Sequence, residues 1–195
     1  LHENVCVPEM VIEEGDKTNE PIRTRGWTHW HHLCHPRQLL LGALYHQEIS
    51  AMEYPLYGRF LDYNAKLCMW NYNPGPGRVG KTEHVFYNQA LNTLNNYGCR
   101  GSEWTKEFFY TSDFKSFPIA GTSMVVHSHP AEELEAQNDL YITDPPYGDA
   151  VKYEEITEFF IAWLRKNPPG EFAHWTWDSR RSLAIQGQDD AFRQA

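Results

Sequence analysis

The chain has no Cys-x-x-Cys pair. Its four cysteines, Cys6, Cys34, Cys68 and Cys99, stand far apart, which argues against a zinc ribbon or a disulfide scaffold and fits a reducing cytoplasm. It also lacks any apolar run near the roughly 18 residues that a membrane-spanning helix needs, and it has no signal-peptide pattern. No membrane partner is expected. Positive charge is scarce: 17 Lys and Arg stand against 26 Asp and Glu, a net −9. That balance is unusual for a nucleic-acid binder. The deficit is uneven, however. Residues 1–20 carry six acids and one lysine, and residues 132–158 carry nine acids and one lysine. Residues 21–115 reverse the sign, with ten Lys and Arg against seven acids. A basic surface, if there is one, belongs to that middle segment.

At 195 residues the chain has the size of one domain with one core. It begins at Leu1 and closes at Ala195 without a helix stop signal, so it reads as an internal piece of a longer protein. Residues 1–26 are polar and acidic, with Gly15 and Pro21 as breakers, and read as an edge or linker. Pro36 to Ile49 reads as a helix with proline at its first position and with Leu39, Leu40, Ala43 and Leu44 inward. A second helix is expected over about 56–70, burying Leu56, Phe60, Leu67 and Trp70. Residues 84–117 are mixed, with a short helix expected near Phe86 to Leu94. Ser123 to His127 reads as a strand. After Tyr153, the residues Ile156, Phe159, Phe160, Trp163 and Leu164 recur at helical spacing until Asn167-Pro168-Pro169-Gly170 stops the helix.

The most informative stretch is Asp139-Leu140-Tyr141-Ile142-Thr143, followed by Asp144-Pro145-Pro146-Tyr147. The first five residues read as a short buried strand ended by two prolines. The next four place distinct chemistry at its carboxyl end, where open α/β sheets bind ligands. Asp144 is an anionic acceptor. The Pro146 carbonyl is an acceptor without the usual N–H companion. Tyr147 offers a flat face for stacking a ring. Together they suit a planar molecule with an exocyclic NH2.

Asp144-Pro145-Pro146-Tyr147 resembles the catalytic motif of DNA amino-methyltransferases, which methylate adenine N6 or cytosine N4. The flanks resemble the large bacterial DNA methylases associated with phage defence. Trp30 to Leu40 matches a Trp-x-x-Leu-x-x-Pro-Arg-Gln-Leu-Leu segment, and Asp62 to Trp70 matches Asp-Tyr-Asn…Leu-Cys-x-Trp. Tyr153 to Arg165 matches Tyr-x-x-Ile/Leu-x-x-Phe-Phe-x-x-Trp-Leu-Arg. The resemblance implies a Rossmann-like α/β fold, a partial, doubly wound and mostly parallel sheet with a helical insertion. It implies S-adenosylmethionine as cofactor and duplex DNA with a flipped base as substrate, adenine favoured over cytosine. Defence-system proteins are possible partners. Asp144, Pro145, Pro146 and Tyr147 would be catalytic, Tyr147 and Tyr153 would face the substrate, and Asp144 would also touch the cofactor. On this reading residues 1–26 are a linker, 27–117 a mainly helical or DNA-facing region, and 118–195 part of the catalytic domain. The family's Phe-x-Gly-x-Gly cofactor turn is absent, as is the Pro-Cys nucleophile of cytosine-C5 methylases.

Three other patterns compete. Gly75 to Thr82 satisfies the P-loop pattern G-x-x-x-x-G-K-[ST], with Leu140 to Asp144 as a candidate Walker B strand. Against a P-loop ATPase, the preceding Asn71 to Pro74 is polar and Pro76 removes a phosphate-binding N–H. His127-Ser128-His129-Pro130 resembles the zinc motif of JAMM-type metalloproteases, yet Leu140 or Tyr141 stands where the Asp ligand belongs. His29, His31, His32, Cys34 and His35 are ligand-type residues without metal-site spacing, and no metal is expected. A non-catalytic DNA-binding or defence scaffold is the remaining alternative.

Overall fold

The computed structural model describes residues 6–51, 53–72, 81–87, 133–135, 137–144, 151–179 and 181–184. In chain order these form α1 (Asn19–Arg25), a 3-10 turn (Trp30–Leu33), α2 (Pro36–Glu48) and α3 (Tyr54–Asp62). Strands β1 (Met69–Asn71) and β2 (Lys81–Glu83) follow, then α4 (Tyr153–Ile156) and α5 (Glu158–Leu164). The strands pair antiparallel, Met69 opposite Glu83 and Asn71 opposite Lys81.

Helix α2 begins where its sequence predicts. His35 is extended, Pro36 takes the first position, and the His35 N–H donates to Gln38 Oε1 at 2.8 Å. Proline suits that position because its missing N–H would have no helical partner. The inward face differs from the predicted one. Gln38, Gly42, Ala43 and His46 are buried and Leu39 packs on the core, but Leu40 and Leu44 are 45% and 49% exposed. Gly42 explains the rotation. A Cβ there would stand 2.9 Å from Trp163 Cη2, so the helix presents its smallest residue to the largest ring of α5. Residues two positions away lie about 200° around the helix and face outward.

Helix α3 stops at Asp62, eight residues short of the expected end. Its last turn tightens, with Tyr63 N–H donating to Phe60 O and Asn64 Nδ2 donating back to Phe60 O at 2.8 Å. The Asp62 side chain accepts the Val85 N–H at 3.1 Å, tying the helix end to the turn after β2. Leu67 is therefore buried in the connection rather than on the helix, and Trp70 is half-buried on β1. His84 and Phe86 in that turn have positive φ, 53° and 68°. Phe86 nevertheless packs edge-on against Trp30 and Phe159.

The expected helix from Tyr153 forms as two pieces that meet at Thr157. The Thr157 hydroxyl donates to Tyr153 O at 2.6 Å, a back-bond that slightly destabilises a helix. Phe159, Ala162 and Trp163 are buried, and the helix ends before Asn167 as expected.

One core cluster contains Ile12, Trp30, Leu33, Tyr57, Phe60, Leu61, Leu67, Val85, Phe159 and Trp163. One expectation changes as a result. The described part of residues 1–26 is not a loose edge: Val11 bridges His29, Trp30 N–H donates to Met10 O at 3.1 Å, and Ile12 is buried. Helix α5, within residues 118–195 that are expected to be part of the catalytic domain, packs in the same core as α3.

The segments expected to build a doubly wound parallel sheet lie largely outside the described residues, as do Ser123–His127 and Phe86–Leu94 beyond Tyr87. Asp139–Thr143, expected as a buried strand, is described and is not a strand. Leu140 is 73% and Ile142 88% exposed. An apolar run becomes a strand only where neighbouring strands take its N–H and C=O groups in a ladder.

Candidate active site

Asp144 is exposed and makes no hydrogen bond or ion pair with any other described residue. Its carboxylate therefore has no competing protein donor there, which fits the role of a free acceptor for an amine or a cofactor hydroxyl. Pro145, Pro146 and Tyr147 lie outside the described residues. Tyr153 opens α4 and is 46% exposed.

The helical segment that follows this motif in the chain is anchored by two buried acids. Glu155 accepts N–H groups from Asp16, Lys17 and Thr18 at 3.0, 2.8 and 3.1 Å, and the Thr18 hydroxyl at 3.3 Å. Gly15 permits this approach, because a Cβ there would sit 2.5 Å from the Glu155 carboxyl carbon. Glu158 is fully buried. It takes Arg181 Nε at 2.9 Å and Nη2 at 2.7 Å, and the Ser179 hydroxyl at 2.5 Å. Arg181 continues to the Glu14 carbonyl at 3.0 Å. Burial opposes the guanidinium charge, but Glu158, Glu155 and Glu13 outweigh it and hold its pKa above the usual range. Three chain segments, around 14–18, 155–158 and 179–181, thus meet in one polar network.

Sequence reasoning missed this network, although a signal for it exists. Positions 155, 158, 159 and 162 share one helical face, and two of them are glutamates. A carboxylate on an apolar face requires a cation or backbone N–H groups.

The P-loop pattern meets a structural obstacle. Gly75 to Gly80 lie outside the described residues, but Lys81 and Thr82 lie on β2 rather than at a helix start. Thr82 is fully buried, and its hydroxyl donates to Tyr63 O at 2.8 Å. A P-loop threonine must turn its hydroxyl to a magnesium ion. The His127–Pro130 pattern also lies outside the described residues.

The histidine-rich turn is compact. Ring centroids of His31 and His32 are 4.5 Å apart, with His29 at 5.3 and 5.5 Å from them. Each Nδ1 is engaged: His29 with the Thr28 hydroxyl, His31 donating to Pro8 O, and His32 accepting the Thr28 N–H. Among the described residues, no group of three or more His, Cys, Asp or Glu side chains is placed to hold a metal. No helix among them is long and apolar enough to cross a membrane.

Two cavities flank α5. One, about 370 Å³, is lined by Glu9, Met10, Ala162, Arg165 and Lys166. The other, about 280 Å³, lies between the end of α2 and Asn167–Gly170. Neither includes Asp144. Comparison with known proteins gives no match: no family model, no curated protein and no solved structure aligns with this chain.

Proposed function

We propose that the chain is part of a cytoplasmic, S-adenosylmethionine-dependent DNA amino-methyltransferase, acting on adenine N6 in preference to cytosine N4 in restriction–modification or phage defence. The observation that carries this reading is the ordered set of segments Trp30–Leu40, Asp62–Trp70, Asp144–Tyr147 and Tyr153–Arg165. A four-letter motif alone is also a common turn composition; the order of its flanks is what supports chemistry. The exposed Asp144 carboxylate is compatible with the role.

The exocyclic nitrogen of a nucleobase is a weak nucleophile, because its lone pair is delocalised into the ring. Asp144 and the Pro146 carbonyl would accept its two hydrogens, drawing the nitrogen toward tetrahedral geometry and freeing the lone pair. This is positioning with preorganised electrostatics, and no covalent enzyme adduct is needed. The base must leave the stack to be reached, and Tyr147 would stack on it, with Tyr153 as a second substrate contact. The cofactor supplies an electrophilic methyl group on a sulfonium. Asp144 is the residue of this chain assigned to it, since the glycine turn is not in this sequence.

The test uses the chain within its full-length parent, beside an Asp144→Ala version. Each is incubated with DNA and methyl-labelled S-adenosylmethionine, and the DNA is digested to nucleosides. Labelled N6-methyladenine or N4-methylcytosine from the parent alone supports the reading and decides the base. Absence of label from the parent overturns it. The P-loop alternative loses support from the buried Thr82 on β2.

A further inference from the structure

The larger of the two cavities beside α5 carries charge. Its volume, about 370 Å³, lies within the roughly 300–1,000 Å³ of small-molecule pockets. Met10 and Ala162 give it an apolar side, and Glu9, Arg165 and Lys166 supply its ionisable groups. Two cations therefore line it against one acid, in a chain whose net charge is −9.

The two cations follow directly on Leu164, the last residue of α5. Arg165 Nη2 stands 3.0 Å from Asp178 Oδ1, and Lys166 Nζ stands 3.3 Å from Glu9 Oε2. In both pairs the acid is the more exposed member, Asp178 at 73% and Glu9 at 83%. Asp178 does not line the cavity. An ion pair whose acid stands in water gains little, because solvent screens the attraction and both side chains lose rotamer freedom. Arg181 is the contrast, since its partner Glu158 has no exposed surface. The charge of Lys166 also reaches the Cys6 thiol, whose pKa burial raises against the opposing pull of Lys166. That thiol stays protonated near neutral pH and is no anion for Lys166.

A carboxylate inside the cavity competes well with those two exposed acids. It is attracted by both cations, and the walls shield it from the solvent that weakens the existing pairs. The guanidinium fork of Arg165 matches the two oxygens of a carboxylate. Met10 and Ala162 favour an apolar body on the same molecule. Inorganic phosphate satisfies the cations and leaves that side unused; an uncharged ring does the reverse.

We propose that this cavity binds a small organic carboxylate with an apolar body, held by Arg165 and Lys166 in exchange for their pairs with Asp178 and Glu9. The proposal is independent of the methyltransferase reading, and neither Asp144 nor Tyr153 lines the cavity.

The experiment is an NMR titration of the full chain at low salt with benzoate, with benzamide, which has the same shape without the charge, and with inorganic phosphate. Benzoate should bind about tenfold more tightly than either of the others. Arg165→Gln and Lys166→Gln should each weaken benzoate about tenfold. Lys166→Arg should bind like the parent. Glu9→Gln and Asp178→Asn should each tighten benzoate about threefold, since each frees a cation from its competitor. Both acids stand in solvent, so these two changes keep the test readable if a cation variant fails to fold. Ion pairs that serve the fold alone would not give tighter binding when their acids are removed. Benzamide or phosphate binding as tightly as benzoate overturns the proposal. So does the absence of benzoate binding, an affinity unchanged in both Gln variants of the cations, or an affinity that rises in neither acid variant.

Discussion

Glu158 and Arg181 form a two-pronged ion pair inside the fold, with Nε on one carboxylate oxygen at 2.9 Å and Nη2 on the other at 2.7 Å. Glu158 has no exposed surface, and the Arg181 side chain is 12% exposed. Removing one partner leaves the other charge buried and uncompensated, a loss of about 3–5 kcal/mol. Arg181→Met should therefore lower the denaturant midpoint sharply. Combining it with Glu158→Leu should recover part of the loss, because neither charge then remains to be desolvated. A double variant as unstable as the sum of the singles would show that the two side chains are not coupled.

Gly42 and Leu40 give opposite expectations on one helix. Gly42→Ala raises helix propensity by about 1 kcal/mol, but its Cβ would sit 2.9 Å from Trp163 Cη2. Overpacking of that kind costs about 1–3 kcal/mol, so the net effect should be a lower melting temperature. Leu40→Ala removes a side chain that is 45% exposed and should change stability little. If the leucine change were the more damaging, α2 would face the way its sequence pattern first indicates.

That contrast shows what was legible and what was not. The start of α2 could be read because Pro36 and His35 set it locally. Its facing could not, since it depends on Trp163, a residue far along the chain. The end of α3 was hidden for the same reason: the Val85 N–H that Asp62 accepts lies 23 residues away. Glu155 and Glu158 were readable in principle, as acids on an apolar helical face. At the candidate site, the roles proposed for Asp144 to Tyr147 come from chemistry and resemblance. The local pattern that predicted a buried strand before Asp144 did not carry over to residues 139–143, because β-branching and apolar character express packing context more than a backbone preference.

Thr82 offers a direct check on the P-loop pattern. Its hydroxyl is buried and bonded to Tyr63 O. Thr82→Val keeps the shape but leaves that carbonyl without its donor, at a cost of about 1–3 kcal/mol. Thr82→Val and Lys81→Ala should leave nucleotide affinity where it was, measured by calorimetry with ATP and magnesium. A nucleotide complex in the parent that either variant abolishes would restore the P-loop.

His46 makes stability depend on pH, with a definite sign. The hydroxyl proton of Tyr54 goes to the Leu164 carbonyl, so the Tyr54 oxygen receives the Nε2–H of His46 at 3.4 Å. His46 is thus the neutral Nε2–H tautomer, 3% exposed, and burial lowers its pKa from 6.5 to about 4. A depressed pKa means that the unfolded chain binds the proton more readily. The stabilising contribution is fully present above about 6.5 and is lost as pH falls toward 4. Burial lowers the pKa of His32 and His35 in the same direction. Unfolding free energy measured across this window should therefore rise with pH, and His46→Gln should flatten the rise by up to about one proton's worth of slope. An unaltered slope in that variant would mean that His46 titrates alike in both states and is not sealed from water.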